Sequence, residues 1–416
     1  GDGATDDTTA VLAANLLNSS LSLSGKTHLF NISSYRAGAM PVHSTDNAII
    51  KDGQIKVKAG TYGISAPGVI DIYGMWNFTG NNGCAFNLNF DGNGQATYVA
   101  YNPAGSNVWM IPLVLTSSGK SGQKAIANSI VSNGGHAIEG TNGNRMVIAL
   151  NTANQHNGIG TTSTTSSAVI GNVSENTSDS HYFLNSTTNT AVTGNVGTTN
   201  VNGGGIDLAG VVNGAISGNV ITGSKANAVW PLKSPNTGTL YSRLLISGNM
   251  VYNNCNYPNN EQGEIQVGDY NNLATTQGSE VAVIGNYIAQ QDTPGGSGFN
   301  RAVWIHAKTT NTAVVSNVIS PDPALITASQ PILQDKGSTF PIISSNVCFS
   351  TAPGTVYFDA APVSQAHYAN NVNMRISPIS VGIPTCMESS DGVWVYHIVR
   401  KLTKAGKVLL DIFYPA

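Results

Sequence analysis

The sequence predicts an all-β protein, a right-handed parallel β-helix with a short capping helix before it and a small β region after it. Two observations support this prediction. A phrase of the form apolar, any residue, Gly or Ser, Asn, apolar recurs along the chain, and each period contains two or three runs of three to five residues rich in Val, Ile and Thr. These runs are too short for helices and too regular for loops. The repeating unit is therefore one coil made of strands.

The asparagine of this phrase marks one coil after another. It occurs at Asn128, Asn151, Asn172, Asn195, Asn219, Asn249, Asn286, Asn317, Asn346 and Asn371. The intervals are 23, 21, 23, 24, 30, 37, 31, 29 and 25 residues, which is the length of a solenoid coil. Coils pair at ~4.8 Å, so equivalent residues stack, and Asn both tolerates a left-handed turn and bonds the next coil. We expect a structural asparagine ladder.

The first 20 residues are predicted to form a helical cap. Asp6 or Asp7 can cap a short helix. Its apolar residues recur at i, i+3, i+4 and i+7, from Ala10 to Leu17, and form one stripe that would cover the open end of the first coil.

The β-helix itself is predicted to extend over residues 21–375. After Pro378 the asparagine phrase stops, and two alternating segments begin at Val393 and Lys407. Because an exposed sheet edge invites aggregation, we expect residues 376–416 to form a C-terminal β cap or a trimerisation region.

Composition excludes several classes of protein. Only 10% of the 416 residues are charged, against ~25% in ordinary domains, yet 41% are hydrophobic, so the chain can bury a large core. The net charge is −3 and the 19 basic residues are scattered, so no nucleic acid partner is predicted. No run approaches the ~20 apolar residues of a membrane span, so no membrane insertion is predicted.

No cofactor and no metal site is predicted either. The four cysteines lie far apart, without a CxxC pair or neighbouring histidines, which favours buried thiols over zinc ligands or disulfides. The aspartates at Asp2, Asp6 and Asp7 lack the spacing of an EF-hand, because Ala13 stands near the position where that loop requires a glutamate.

The first ten residues carry a family resemblance. The run Gly-Asp-Gly-Ala-Thr-Asp-Asp-Thr-Thr-Ala at 1–10 resembles the N-terminal motif of the pectate-lyase-like β-helix proteins, in particular bacteriophage tailspikes that depolymerise the capsular polysaccharide or exopolysaccharide of Gram-negative bacteria. With the asparagine repeat, the resemblance covers residues 1 to about 375. It implies a homotrimer of the virion tail that acts at the host cell surface as a glycoside hydrolase or lyase.

The same resemblance implies attachment to the phage baseplate or tail through a preceding N-terminal region. This chain starts without Met, which suggests an excised fragment. The motif is structural, however, and implies no catalytic positions. Candidates for these have to come from the stacking of the coils.

Aligning the strand after each asparagine gives an inward column that includes Ile138, Ile159, Tyr182, Ile206, Val229, Ile265 and Val303. Its following neighbours, expected to point outward, include Glu139, Gly160, Phe183, Asp207, Trp230, Gln266 and Trp304. Exposed indoles stack on the C–H faces of sugars, so Trp230 and Trp304 are predicted to bind substrate. The further residues predicted to bind substrate are His181, Tyr182, Gln266, Lys233, Arg301 and His306.

Hydrolysis needs two carboxyl groups that flank the scissile bond. Asp207 and Glu264 are the predicted pair, on one outward face two coils or ~9.6 Å apart by strand spacing, close to the inverting range of ~6.5–9.5 Å. We expect Glu264 to be the general acid and Asp207 the base. The substitutes are Glu139, Glu175, Asp179, Glu261 and Asp269, and a site shared between subunits is a further alternative.

The long coils after Asn219 place projecting loops near this face, which indicates groove walls or, alternatively, trimer contacts. Basic residues nearby, Lys225, Lys233, Arg243 and Arg301, would suit an acidic sugar. Two other functions stay open. A polysaccharide lyase could recruit Lys233, His306 and Arg301, whereas a non-catalytic receptor-binding fibre would bind in the same groove without lowering the viscosity of the polysaccharide.

Overall fold

The structure is a computed structural model. It describes residues 136–154, 156–255, 262–269, 275–289, 300–320, 332–334, 338–339 and 341–349. Outside these ranges it describes only the strands given below and a few single residues. The chain divides into two compact units. The first unit comprises residues 1–207 and 211–214, and the second comprises residues 208–210 and 215–416.

The strands of the first unit, in chain order, are β1 (Asp2–Asp6), β2 (Ser20–Ser22), β3 (Thr27–Phe30), β4 (Ile49–Lys51), β5 (Gln54–Val57), β6 (Asp71–Tyr73), β7 (Asn87–Leu88), β8 (Gln95–Tyr98), β9 (Leu113–Ser117), β10 (Lys124–Ile126), β11 (Ser129–Val131), β12 (His136–Thr141), β13 (Val147–Ala149), β14 (Thr152–Asn154), β15 (Gly158–Thr162), β16 (Ala168–Ile170), β17 (Val173–Thr177), β18 (Tyr182–Asn185), β19 (Thr188–Thr193) and β20 (Val196–Asn200). The units divide within β21 (Ile206–Ala209) and β22 (Val212–Ser217).

The strands of the second unit are β23 (Val220–Thr222), β24 (Val229–Leu232), β25 (Tyr241–Ser247), β26 (Met250–Tyr252), β27 (Gln262–Val267), β28 (Gly278–Ile284), β29 (Tyr287–Ala289), β30 (Asn300–Ile305), β31 (Thr309–Val315), β32 (Val318–Ser320), β33 (Ile332–Gln334), β34 (Ile342–Ser344), β35 (Val347–Cys348), β36 (Gly354–Val356), β37 (His367–Ala369), β38 (Met374–Ile376), β39 (Thr385–Glu388), β40 (Val395–Ile398), β41 (Lys401–Leu402) and β42 (Val408–Leu409).

Each regular coil contributes one strand to each of three parallel sheets. In the first unit the sheets run β2-β4-β6-β10-β13-β16-β19, β11-β14-β17-β20 and β9-β12-β15-β18. In the second unit they run β25-β28-β31-β34-β37, β23-β26-β29-β32-β35 and β24-β27-β30-β33. We call the last-named sheet of each unit the third sheet. The predicted right-handed parallel β-helix is confirmed, and described residues 136–349 contain no helix.

The core is formed by apolar residues in register. Within the first sheet, Ile148 pairs with Val169 and Val169 with Val192, and each is at most 1% exposed. The alternating burial of these strands follows from the period of two residues in a β-strand. Interior burial therefore repeats once per coil, as the sequence phrase predicts.

The asparagine ladder is confirmed within each unit. In the first unit, the backbone N–H and Nδ2 of Asn172 both donate to Oδ1 of Asn195, at 2.9 Å each. In the second unit the same pattern joins Asn249 to Asn286 and Asn286 to Asn317. Each Nδ2 also donates to a backbone carbonyl, as from Asn286 to Ile246 at 2.9 Å. These buried amides bond all their polar groups inside the protein, so their role is structural.

The ends of the chain are less regular. The first residues form β1, which pairs in parallel with β3, and Thr5 donates from its N–H and hydroxyl to Asp2 at 2.7 and 2.8 Å. The predicted cap helix lies outside the described residues except for Ala10, which is helical and exposed. Near the other end, β39 pairs with β40 and β41 with β42, both antiparallel. The domain boundaries at 20 and 375 stay predictions.

Among the described residues, no helix has the length and apolarity that a membrane span requires.

Candidate functional site

The third sheet confirms the register on which the candidate residues were aligned. In the first unit Glu139 pairs with Gly160 and Gly160 with Phe183. In the second unit Val229 pairs with Ile265, and Gln266 pairs with Trp304. The stacking was therefore predicted correctly. The solvent exposure of the side chains differs from the prediction at several positions in each unit.

Asp207 belongs to the first unit and lies in β21. The residue is half-buried, its Oδ2 accepts a hydrogen bond from the Ser180 hydroxyl, and its Oδ1 is inaccessible to solvent without a hydrogen-bond partner among the described residues. Burial raises the pKa of this carboxyl to about 7, the Ser180 hydrogen bond lowers it, and the charge of Asp179 raises it further. The carboxyl is thus largely protonated just below neutral pH.

Asp179 lies in the turn between β17 and β18 and is the carboxyl that acts electrostatically on Asp207. Partial burial raises the pKa of Asp179, and His136 lowers it. The turn is fixed by Asn200, whose Nδ2 donates to the Asp179 carbonyl and to the Gly204 carbonyl. A methyl group on Gly203 would lie 2.5 Å from the Asp179 backbone, so this close approach requires glycine. The first unit therefore holds two interacting carboxyl groups, Asp179 on an ordered turn and Asp207 in β21.

His136, Glu139 and Phe183 form a second group in the first unit. His136 Nδ1 and Glu139 Oε2 are 3.2 Å apart, and the Thr162 hydroxyl donates to Glu139 Oε1 at 2.8 Å. The rings of His136 and Phe183 stack with centroids 4.1 Å apart and 30° between their planes. Phe183 can lean over β15 because Gly158 and Gly160 have no side chain: a Cβ on either would lie 2.9 Å from the ring.

His181 was predicted to bind substrate from an outward position, and the structure buries it completely. Its Nδ1 forms a hydrogen bond with the Ser174 hydroxyl at 2.8 Å, and that hydroxyl also contacts His156 Nε2 at 3.1 Å. Burial lowers the pKa of both imidazoles to about 3, so both are neutral. His181 Nε2 is buried and has no hydrogen-bond partner among the described residues.

Tyr182 was predicted to bind substrate, and the structure places it in the interior of the coil. The residue is fully buried, and its hydroxyl lies 2.8 Å from the carbonyl oxygen of Asn172 and 2.7 Å from that of Val196. Burial raises the pKa of its phenol well above the ordinary range. The side chain fills the interior of the coil, as its place in the inward column predicts.

Glu264, the predicted general acid, does not point outward to solvent. It is 1% exposed, and its Oε1 and Oε2 accept from the backbone N–H and Nδ2 of Asn254 at 3.0 and 2.7 Å. Asn254 in turn accepts from the Ser224 N–H and donates to the Ile221 carbonyl. This is the bonding pattern of the asparagine ladder with a carboxylate in place of the next amide. Burial raises the pKa of Glu264 to about 7, which the two hydrogen bonds from Asn254 oppose.

Trp304, Arg301 and His306 are also buried, contrary to the predicted exposed face. They are 3%, 4% and 0% exposed. The Arg301 guanidinium lies 3.9 Å from the centre of the Trp304 ring, whose centroid is 4.2 Å from that of His306. Gln266, 4% exposed, accepts from Asn227 Nδ2 at 2.6 Å. The outer side of this sheet is therefore a packed layer, because cation–π and ring contacts replace solvent there.

Trp230 and Lys233 keep part of the expected exposure. Both are half-buried, and the Trp230 indole N–H donates to the Gly268 carbonyl at 2.8 Å. Among the substitute carboxylates, Glu175 is exposed, Asp269 is half-buried and Glu261 lies outside the described residues. Within the part of the chain that the structure describes, no group of three or more His, Cys, Asp or Glu side chains is placed to hold a metal ion.

Sequence reasoning missed the part that Asp179 and His136 play. Asp179 was only one of five substitutes, and His136 was not considered, because neither stands in the column after the inward residue. The signal that could have found Asp179 is its place in the turn directly before β18, one coil before the turn that leads into Asp207.

Comparison with solved structures identifies the fold. The A-module of the Azotobacter vinelandii mannuronan C-5 epimerase AlgE6 is 12% identical and matches over 91% of this chain and 97% of its own, with a TM-score of 0.52. The Streptococcus pneumoniae surface protein and adhesin PfbA is 13% identical over 90% of this chain and 94% of its own, also at 0.52. The chain is a parallel β-helix protein.

A tailspike protein double mutant of E. coli bacteriophage HK620 is also similar, with a TM-score of 0.49 and 11% identity. That match covers 90% of this chain and 64% of the tailspike chain. No protein-family model matches the sequence, and no curated protein sequence matches it. At these identities the likeness shows the fold alone, a parallel β-helix.

Proposed function

We propose that this chain is an enzyme that depolymerises a bacterial surface polysaccharide by hydrolysis, with Asp207 as the general acid and Asp179 as the general base. The observation that carries the proposal is the pair of interacting carboxyls in the first unit. Burial raises the pKa of Asp207 to about 7, and the charge of Asp179 raises it further. Burial also raises the pKa of Asp179, which the charge of His136 opposes. We assign the acid to Asp207 because its pKa of about 7 keeps a proton available near neutral pH, and the base to its neighbour Asp179.

The reaction follows from these protonation states. Protonated Asp207 donates its proton to the glycosidic oxygen as the bond from that oxygen to the anomeric carbon breaks. Ionised Asp179 takes a proton from a water molecule, whose oxygen bonds to the anomeric carbon. The products are two shorter chains. Asp179 then releases its proton to solvent, and Asp207 takes one up from solvent.

Two buried atoms without a hydrogen-bond partner among the described residues support a ligand at this site. They are Oδ1 of Asp207 and Nε2 of His181. The Gly158 N–H donates to His156 Nδ1 at 2.9 Å, so in neutral His156 the hydrogen is on Nε2, which donates to the Ser174 hydroxyl. As donor or as acceptor, the buried Nε2 of His181 is expected to meet a water or a sugar hydroxyl.

The wider role we propose is that of a phage tailspike: a homotrimer on the virion tail that binds and cleaves capsular polysaccharide or exopolysaccharide. The motif at residues 1–10 and the β-helix fold support it. The fold is compatible with a polysaccharide substrate, since the epimerase module that shares it is named for mannuronan. Light scattering should give three times the 43.2 kDa chain mass. A stable monomer at micromolar concentration would count against the trimer.

The test of the reaction is the mass of the products formed from a panel of capsular polysaccharides in H₂¹⁸O. Hydrolysis places one ¹⁸O in each new reducing end. A lyase instead gives unsaturated products without added water that absorb in the ultraviolet. The residues proposed for the lyase include Arg301 and His306, which are buried. A receptor-binding fibre would leave the viscosity of the cognate polysaccharide unchanged.

A further inference from the structure

The charge of the Asp207 site restricts the sugar that it can accept. From residue 127 to residue 214 the sequence contains four acidic residues, Glu139, Glu175, Asp179 and Asp207, and a single basic residue, Arg145. Arg145 is exposed and lies between β12 and β13, whereas Asp179 precedes β18 and Asp207 stands near the start of β21. Within this segment the carboxyls, ionised Asp179 among them, would therefore repel a carboxylate on the substrate, and the one basic residue of the segment, Arg145, is exposed.

The same site offers an apolar surface. The Phe183 ring fills the space left by Gly158 and Gly160 and stacks on His136 at 4.1 Å. A hydrogen bond from Thr162 holds Glu139, and Glu139 in turn contacts Nδ1 of His136. These contacts hold the His136 ring in place beneath Phe183. The Phe183 residue is half-buried, and 28% of the His136 side chain is exposed. Aromatic rings that keep one side accessible bind the C–H faces of sugars.

We infer that the Asp207 site binds an uncharged sugar and that Phe183, supported by His136, is the surface on which this sugar stacks. The inference rests on the proposed function, since it names the substrate class of that site. It departs from the acidic sugar predicted from Lys225, Lys233, Arg243 and Arg301, all of which belong to the second unit. Ionised Asp179 would then accept a hydrogen bond from a sugar hydroxyl rather than repel a charged group.

The experiment uses the whole chain with Asp207→Asn, an amide close in shape and charge to the protonated acid, so that binding is measured without turnover. The probes are purified bacterial polysaccharides of known repeat unit, one set with only neutral sugars and one set with a uronic or nonulosonic acid. Binding to a neutral member is expected, with an affinity that changes less than about twofold between low and high salt, because no ion pair is formed.

In the same background, Phe183→Ala should weaken this binding by about tenfold, the scale of one lost aromatic contact. Phe183→Tyr should retain it, and Phe183→Leu, which keeps most of the packing on the glycines, should lose it while the thermal unfolding midpoint stays near that of the parent. The matched control is Phe349→Ala, because Phe349 is 62% exposed and belongs to the second unit.

The outcomes separate the two proposals. Binding confined to the acidic set, or binding to a neutral polysaccharide that is unaffected by Phe183→Ala and Phe183→Leu, would overturn this inference and leave the hydrolase standing. If the parent chain neither binds nor cleaves any polysaccharide of either set, the proposed function fails, and this inference fails with it.

Discussion

Asp207 in the first unit and Glu264 in the second are two buried carboxyls whose pKa values are both raised to about 7 by burial, yet their surroundings differ. Both oxygens of Glu264 accept hydrogen bonds from Asn254, and the residue is 1% exposed. Asp207 is half-buried as a residue, and among the described residues only its Oδ2 has a hydrogen-bond partner, with Asp179 acting on it electrostatically. A raised pKa therefore reports burial, and the bonding of the oxygens decides between a structural and a chemical role.

The largest expected effect is on turnover, and it concerns the second carboxyl of the first unit. Asp179→Asn should reduce the rate of polysaccharide cleavage by on the order of 10² or more, because the amide cannot accept a proton from water. Glu175→Gln is the matched control, since Glu175 is exposed in the adjoining strand β17. Reducing-end release measures both rates. Equal losses in the two variants would remove Asp179 from the proposed pair.

The next effect is on stability, where the substitution at Glu264 should cost more than the substitution at Asp207. Glu264→Ala removes the acceptor of the Asn254 backbone N–H and one of the acceptors of its Nδ2, and should cost about 2–4 kcal/mol in the free energy of unfolding. Asp207→Asn should change it by less than about 1 kcal/mol. Denaturant unfolding of both variants checks the prediction. A Glu264→Ala protein as stable as the parent would mean that the ladder does not need this carboxylate.

A third effect is the pH dependence of activity. Asp207 works as an acid only while protonated, so activity should fall as the pH rises through about 7. On the acid side, activity should rise as Asp179 ionises, at a pH above the ordinary value for an aspartate. Cleavage rates across the pH range give both limbs, and the Glu175→Gln protein should show the same profile. Constant activity to about pH 9 would contradict Asp207 as the acid.

The smallest effect is the pH dependence of stability, which tests whether the buried Glu264 carboxyl changes its pKa on folding. Its pKa is raised from 4.5 to about 7 on folding, so the folded state loses stability as the pH rises across that window. His156 and His181, whose pKa values are lowered to about 3, act in the opposite sense: their contribution is lost as the pH falls below 6.5. Comparison with Glu264→Gln isolates the carboxyl, because both proteins keep the histidines.

Between about pH 5 and pH 8 the parent should lose more stability than Glu264→Gln, in which the amide oxygen can accept both Asn254 donors as in the ladder. Thermal unfolding midpoints at the two pH values are sufficient. The same change in both proteins would show that the Glu264 carboxyl does not titrate in this range.

The fold was predictable from the sequence because each coil contributes one asparagine to the ladder, so the motif recurs once per coil. Asn172, Asn249 and Asn286 were found by spacing alone, and their bonding is as predicted. The third-sheet register from Glu139 to Phe183 was predictable for the same reason. In a solenoid, what repeats in sequence is what stacks in space.

The candidate site was harder to predict because the solvent exposure of outward side chains does not repeat from coil to coil. Trp304 and Glu264 occupy the predicted register, but the outer side of their sheet is covered, and a carboxylate substitutes for an asparagine in a second ladder. Asp179 lies in a turn, where spacing carries no periodic signal. Its interaction with Asp207 depends on how Asn200 and Gly203 fold that turn.

The central claim is that Asp207 performs chemistry and Glu264 maintains the fold. The most direct measurement is the cleavage rate of Asp207→Asn beside that of Glu264→Gln, on one polysaccharide and at a pH where both proteins are folded. The account predicts a loss on the order of 10² or more for Asp207→Asn and a change of less than about threefold for Glu264→Gln. The reverse result, with Glu264→Gln inactive and Asp207→Asn active, would contradict it.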